Sequence, residues 1–180
     1  MKKILQKAEN SQNVLREEAK AVPIRDITTP KIQKIIKEMS QALLSQNDGV
    51  AIAAPQIGYS LQIFVVSGKI FHENFIRGEA TDNLPKEEIP EDLVFINPVI
   101  SRLSREKIWV PEGCLSVRWL YGKTHRSKKV TVTAYDKNGK KFTRGASNLL
   151  AQIFQHETDH LKGILFTDHA KDVKEENPFQ

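Results

Sequence analysis

Two segments of the chain carry apolar residues at the spacing of an amphipathic helix. The first follows Thr29 and Pro30, which suit a helix N-terminus, and its apolar positions are Ile32, Ile35, Ile36, Met39, Leu43 and Leu44. It is expected to end near Asn47-Asp48-Gly49. The second runs over about residues 147–161 and is closed by Lys162-Gly163. The pattern predicts one early and one late helix.

Short runs between these helices are typical of strands. Residues 61–66 and 93–100 are largely apolar, and residues 130–135 alternate. Asn138-Gly139 is a hairpin turn signal, after which residues 141–144 are expected to return antiparallel. Residues 67–92 are polar and predict a long excursion of unassigned role. The predicted class is α+β, with short, mainly antiparallel strands packed around the late helix.

The length of 180 residues and the 39% hydrophobic content predict a single domain over residues 1–180, with residues 171–180 as a polar tail. Residues 1–23 mix basic and acidic side chains without an apolar stretch, which favours a cytoplasmic protein rather than a secreted one. No segment is apolar enough to predict membrane association. We expect a monomer.

The net charge of +5 is compatible with weak association with ribosomes, but acidic residues are mixed into the same segments. The densest basic stretches are residues 126–129 and 137–141, and both are expected to form solvated faces. No specific nucleic-acid partner is predicted.

The late helix contains a pattern typical of metal sites. His156 and His160 are four residues apart and therefore lie on one helical face, where both rings reach a single ion. Glu157 lies about 100° further round, close enough to touch a water on that ion. A helix with two surface histidines beside a chance glutamate would show the same sequence pattern. The short pattern alone favours neither this interpretation nor the metal site. Apolar neighbours favour the metal site, because they turn this face toward the core.

The third ligand must come from elsewhere in the chain. A metzincin-type zinc protease would need a histidine three residues after Gly163, where Phe166 stands. Cys114 is the one cysteine of the chain and is the strongest candidate for a third ligand. A set of two histidines and one cysteine suits one divalent transition metal ion, and Zn²⁺, Fe²⁺, Ni²⁺ and Co²⁺ are all compatible with it.

Three segments together resemble the motifs of the peptide deformylases: Gly49-Val50-Ala51-Ile52-Ala53-Ala54-Pro55-Gln56, Glu112-Gly113-Cys114-Leu115-Ser116 and Gln155-His156-Glu157-Thr158-Asp159-His160. They occur in the family's order, and the start of the chain is also similar. The resemblance implies a hydrolase that removes formate from N-formylmethionyl peptides and nascent chains. It also implies Fe²⁺ in the cell, held by Cys114, His156 and His160.

The resemblance assigns the remaining roles. Glu157 is the expected general acid and base, while the Gln56 amide and the Leu115 backbone N–H are expected to stabilise the oxyanion. The expected substrate-binding residues are Gly49, Val50, Ala51, Gly113, Leu149, Gln152 and Ile153. Along the extended 49–51 segment the substrate backbone would add as a strand. Gln152 is expected to make the methionine pocket more polar.

Departures from the family pattern occur near the expected pocket. Ala51 replaces a usual glycine, and residues 118–121 stand where many members carry a proline and then an arginine. The tail also lacks the long basic helix with which some members dock on ribosomes. An HExxH-type zinc peptidase, or an inactive family member that acts as a binding protein, remains as an alternative.

Overall fold

The computed structural model describes residues 2–7, 13–76 and 86–176. Its two α-helices are α1 (Pro30–Leu44) and α2 (Asn148–Leu161). The strands are β1 (Ala51–Ala53), β2 (Ile63–Val66), β3 (Leu93–Leu103), β4 (Lys107–Gly113), β5 (Leu120–Ser127), β6 (Lys129–Tyr135), β7 (Lys141–Ser147) and β8 (Lys171–Glu175).

These strands form two antiparallel sheets in the described part of the chain. The larger sheet has the order β1-β2-β3-β6-β7, and the smaller one has the order β4-β5-β8. The predicted α+β class with mainly antiparallel strands is confirmed. Because β1 lies at an edge of the larger sheet, no strand among the described residues pairs with one side of its backbone.

The larger sheet is covered on both faces where β1, β2 and β3 lie. Ile52, Ile63 and Val65 pack into the core that contains α1. Phe64 and other alternate residues pack into a second core with Phe154 of α2. Successive strand residues point to opposite faces, so a sheet between two helices buries every position. This explains why β2 is a continuous apolar run rather than an alternating one.

The smaller sheet was not predicted from the sequence. Most residues of β4 are exposed or only half-buried, and all five residues of β8 are exposed, so neither strand shows an apolar face that would reveal it. Part of the predicted polar tail is therefore the strand β8, paired with β5. Residues 177–180 of that tail lie outside the described residues.

The predicted excursion at residues 67–92 begins with a short 3₁₀ helix, Gly68–Phe71, and its residues 77–85 lie outside the described part. At the start of the chain, Leu5 N–H donates to the Gln56 carbonyl at 2.8 Å and Lys7 N–H donates to the Ser116 carbonyl at 2.8 Å. This opening segment therefore ties two of the three sequence motifs together. None of the described helices is both long and apolar enough to span a membrane.

Candidate metal centre and substrate cavity

A cavity of about 480 Å³ opens where the edge strand β1, the start of the smaller sheet and helix α2 meet. Its lining includes all but one of the residues expected at the site: Gly49, Val50, Ala51, Gln56, Gly113, Cys114, Leu115, Leu149, Gln152, Ile153, His156 and Glu157. His160 is the exception and lies behind this surface, buried at 1% exposure. The fold thus collects residues from three distant parts of the chain.

Three potential metal ligands converge at the inner end of this cavity. The Cys114 Sγ lies 3.2 Å from His160 Nε2, and the donor atoms of Cys114, His156 and His160 all lie within 4.8 Å of one another. Both histidines belong to α2, where their ring centroids are 4.8 Å apart. The i, i+4 spacing produces this arrangement because it places the rings one turn apart on one face.

The electrostatics of the cluster favour a cation between these groups. Burial lowers the pKa of His160 well below its usual range, which keeps the ring neutral, as a ligand must be. Burial also opposes a charge on His156, but hydrogen bonds to Cys114 and Glu112 outweigh it and raise the His156 pKa well above its usual range. The His156 ring therefore lies between the Cys114 sulfur and the Glu112 carboxylate, a position suited to positive charge.

Glu112 is a site residue that the motif comparison did not single out. Its carboxylate is 2.7 Å from His156 Nδ1 and accepts a 2.6 Å hydrogen bond from Thr124 Oγ1. Gln152 Nε2 also donates to it, at 3.2 Å. By occupying Nδ1, Glu112 orients the His156 ring so that Nε2 faces Cys114, the outer-shell arrangement common in metal sites. The sequence feature that could have identified Glu112 as a site residue is its position two residues before Cys114.

Arg126 corrects the expectation that residues 126–129 form a solvated face. The side chain is buried at 7% exposure, and its guanidinium donates to Glu112 at 2.7 Å and to Asp159 at 2.6 Å. Burial opposes the charge of Arg126, but Glu112 and then Asp159 outweigh it and raise the Arg126 pKa. Burial likewise opposes the charge of Glu112, but His156 and then Arg126 outweigh it and lower the Glu112 pKa. The expectation was wrong because sequence proximity to Lys128 and Lys129 does not reveal which strand face a residue occupies.

Glu157 lies beside the cluster and is 3% exposed. Burial raises the pKa of its carboxyl group to about 7. Its Oε2 atom is buried without a hydrogen-bond partner among the described residues. A buried polar atom of this kind requires a partner, and none of its protein neighbours in the described structure supplies one.

Gln56 has a fixed amide orientation. Its Oε1 accepts a 2.8 Å hydrogen bond from Ala53 N–H, so the NH₂ end points away, toward Ser116 Oγ at 3.1 Å and Cys114 Sγ at 3.6 Å. Leu115 is held from the other side, because Gln6 Nε2 donates to its carbonyl at 2.9 Å. A side-chain donor and the Leu115 backbone therefore flank the cysteine.

The backbone of Ala51 is available on the cavity side of β1. The Val50 carbonyl accepts a hydrogen bond from Ser67 N–H at 2.9 Å, directed toward β2. Hydrogen-bonding groups alternate sides along an antiparallel strand, so those of Ala51 face the free edge. On the opposite wall, Gly113 packs closely against the Tyr121 ring, since a Cβ there would lie 2.7 Å from that ring.

The α2 wall of the cavity differs from expectation in one respect. The apolar residues Leu149 and Ile153 line it as expected, and Gln152 lies beside them. The Gln152 Nε2 atom, however, donates to the Pro111 carbonyl at 2.9 Å and to Glu112. The donor end of this amide is thus directed toward β4, which reduces the polarity that the sequence predicted for the pocket.

Comparison with known proteins adds an independent line of evidence. The family model described as polypeptide deformylase matches residues 1–176. Peptide deformylase 2 of Clostridium acetobutylicum is 37% identical over 160 residues, covering 88% of this chain and 90% of the relative. The chloroplastic peptide deformylase 1B of Solanum lycopersicum is 38% identical over 141 residues, covering 78% of this chain but 45% of that longer protein.

A solved structure matches the fold as well. The Met-Ala-Ser-bound class I type b peptide deformylase of Acinetobacter baumannii superposes with a TM-score of 0.77 at 28% identity, covering 94% of this chain and 99% of that one. The family model spans nearly the whole chain, and the relative from Clostridium is covered almost completely. The chain therefore belongs to the polypeptide deformylase family.

Proposed function

We propose that this chain removes the formyl group from N-formylmethionyl peptides and nascent chains, releasing formate. Metal-dependent removal of N-formyl groups is the activity of the family to which it belongs. The observation that carries the proposal is the convergence of Cys114, His156 and His160 beside Glu157 at the inner end of one cavity.

The donor set fits a resident divalent transition metal. One thiolate and two imidazoles would hold it, and the described residues contain no fourth His, Cys, Asp or Glu in the group. A structural zinc site normally has four protein ligands, whereas three ligands leave a position for water or substrate. The set does not select one metal, since Fe²⁺, Zn²⁺, Ni²⁺ and Co²⁺ all accept it. We propose Fe²⁺ in the cell.

When bound, such a metal lowers the pKa of water from about 15.7 to about 7 and polarises a carbonyl group. Glu157 would then serve as the proton carrier, because its unpartnered Oε2 borders the ligand group and its pKa of about 7 suits proton exchange near neutrality. The carboxylate first accepts the water's proton and then delivers it to the departing amine nitrogen.

The oxyanion that forms at the formyl oxygen needs hydrogen-bond donors. We assign this role to the Gln56 NH₂ group, whose orientation is fixed by Ala53, and to the Leu115 backbone N–H. Removing one donor of this kind typically lowers the rate by about 10²- to 10³-fold. The donors are held in advance of substrate by the N-terminal segment, which keeps reorganisation small.

The peptide itself would bind as a strand along the free edge of β1. The backbone groups of Ala51 face that edge, and Gly49 and Val50 continue it, while Gly113 forms the opposite side. Recognition through backbone hydrogen bonds tolerates many side chains, as nascent-chain substrates require. The methionine side chain would enter the part of the cavity lined by Leu149, Gln152 and Ile153.

Released formate is the decisive measurement. The metal-loaded protein should release formate from formyl-Met-Ala-Ser and leave acetyl-Met-Ala-Ser intact, because the additional methyl group does not fit a site built around a formyl hydrogen. Cleavage of an internal peptide bond with the formyl group retained would instead identify a zinc peptidase. Metal binding without any hydrolysis would identify an inactive binding protein. A cytoplasmic location, a monomeric state and weak ribosome association remain predictions.

A further inference from the structure

An ion pair joins two segments that line the cavity. Arg118 Nη1 and Nη2 contact the two carboxylate oxygens of Asp48 at 2.5 and 2.9 Å, a bidentate geometry. Arg118 Nη2 also donates to Gln46 Oε1 at 3.1 Å. The Arg118 side chain is 17% exposed and that of Asp48 is 48% exposed. The guanidinium is therefore largely buried, while the carboxylate is about half exposed.

The two partners belong to segments that carry opposite parts of the proposed site. Asp48 lies in the loop between α1 and β1, one residue before Gly49, where the proposed peptide-binding edge begins. Arg118 lies between Cys114 and the start of β5, three residues after the proposed oxyanion donor Leu115. The pair thus links two segments that line the cavity and carry different parts of the proposed site.

Close packing couples these segments beside the ion pair. A Cβ on Gly49 would lie 3.3 Å from the Leu115 side chain, which shows that the loop rests directly on Leu115. The loop itself is held by a Lys69 Nζ hydrogen bond to the Asn47 carbonyl at 2.9 Å. Regular strand pairing starts at Ala51, and the Val50 carbonyl adds one more hydrogen bond to this sheet, so the loop residues before Val50 lie outside the strand ladder.

We propose that the Asp48–Arg118 ion pair positions the peptide-binding edge and sets the width of the outer cleft. Arg118 is thereby a positioning residue for substrates that extend beyond the formylmethionine. The inference rests on the proposed deformylase function.

The test compares a short substrate with a longer one. In Arg118→Gln and Asp48→Asn, KM for formyl-Met-Ala-Ser should rise roughly tenfold, below the about 100-fold cost of displacing a reacting group by 1 Å. The kcat for this peptide, the kinetics of formyl-methioninamide and the metal content should change less than about twofold, because the metal-proximal groups are untouched. The double variant Asp48→Arg/Arg118→Asp should recover most of the lost affinity.

A matched control comes from a second bidentate pair outside the cavity lining, between Arg16 and Asp168, with contacts of 2.5 and 3.1 Å. Arg16→Gln removes a similar ion pair and should leave the ratio of the two substrates' KM values unchanged. An equal loss for short and long substrates, no loss at all, or no recovery in the charge-swapped protein would each overturn the inference. If the wild-type protein fails to release formate, the proposed function fails instead.

Discussion

At the scale of single residues, the site separates groups that hold the metal from a group that moves protons. Glu157→Gln should retain one equivalent of metal and lose about 10²- to 10⁴-fold in kcat, because the amide has the same shape but cannot accept a proton. Cys114→Ala should lose the metal, since it removes one of three ligands. Elemental analysis and formate release on the same preparations measure both effects.

The two substitutions are predicted to have opposite effects on metal content, so each is a control for the other. Thermal unfolding in the presence of a chelator should show that both proteins remain folded. A metal-free Glu157→Gln protein beside a metal-replete Cys114→Ala protein would show that the roles are reversed.

Ala51 gives a second prediction at this scale. It is 6% exposed, lines the cavity and packs beside Phe64 in the core shared with α2. Ala51→Gly removes one methyl group and should widen tolerance for bulky first residues, by roughly 1 to 3 kcal/mol of discrimination at most. The kcat/KM for a formyl-Phe peptide should increase relative to formyl-Met and formyl-norleucine peptides, with metal content unchanged. Equal changes for all three would show that the methyl group does not contact the substrate side chain.

Single residues also show how far the sequence could predict the site. His156, Glu157 and His160 could be assigned from spacing because helix geometry alone determines which residues share a face. The contacts of Glu112 and Arg126 could not, because they depend on the pairing of β4 with β5 and on the packing of α2 against that hairpin. Contacts between segments that are distant in the sequence produce no periodic pattern from which they could be predicted.

At the scale of elements, the apolar pattern predicted the helices and strands that are buried and missed the strands that are mostly exposed. The early helix was expected from about Pro30 and is observed over Pro30–Leu44, and the late helix is observed over Asn148–Leu161. Strands β2 and β3 were found from apolar runs. The hairpin of β4 and β5 was missed because β4 is mostly exposed, so its stability comes from pairing rather than from an apolar face.

The end of α2 offers a prediction with an internal control. Gly163 has φ of +71° and a Cβ there would lie 2.5 Å from the Arg16 carbonyl oxygen, whereas Gly139 has φ of +79° and open space around it. Gly139→Ala should cost about 1 to 2 kcal/mol from the left-handed conformation alone. Gly163→Ala should cost more, because the Arg16 backbone must also move. Urea unfolding measures both, and equal losses would show that the close contact at Gly163 is easily relieved.

At the scale of the whole molecule, the larger sheet and its two helices form the main core, and the smaller sheet is attached to it beside the metal centre. Arg126 is central to this attachment. It lies on β5, contacts Glu112 on β4 and reaches Asp159 on α2. The same cluster orients His156, so the contact that joins the parts of the fold also shapes the site.

Removing Arg126 should therefore destabilise the molecule far more than removing an exposed arginine. The side chains of Arg126 and Glu112 are 8% and 2% exposed, so Arg126→Gln leaves a buried carboxylate without its guanidinium partner. Breaking such a buried pair typically costs about 3 to 5 kcal/mol. Arg16→Gln breaks the Arg16–Asp168 pair, whose side chains are 42% and 35% exposed, and exposed pairs contribute only about 0 to 1 kcal/mol.

Urea unfolding of both variants with the metal chelated gives the two free energies of unfolding without a contribution from the ion. A loss in Arg126→Gln no larger than that in Arg16→Gln would show that Thr124, Gln152 and His156 compensate Glu112 sufficiently without the guanidinium.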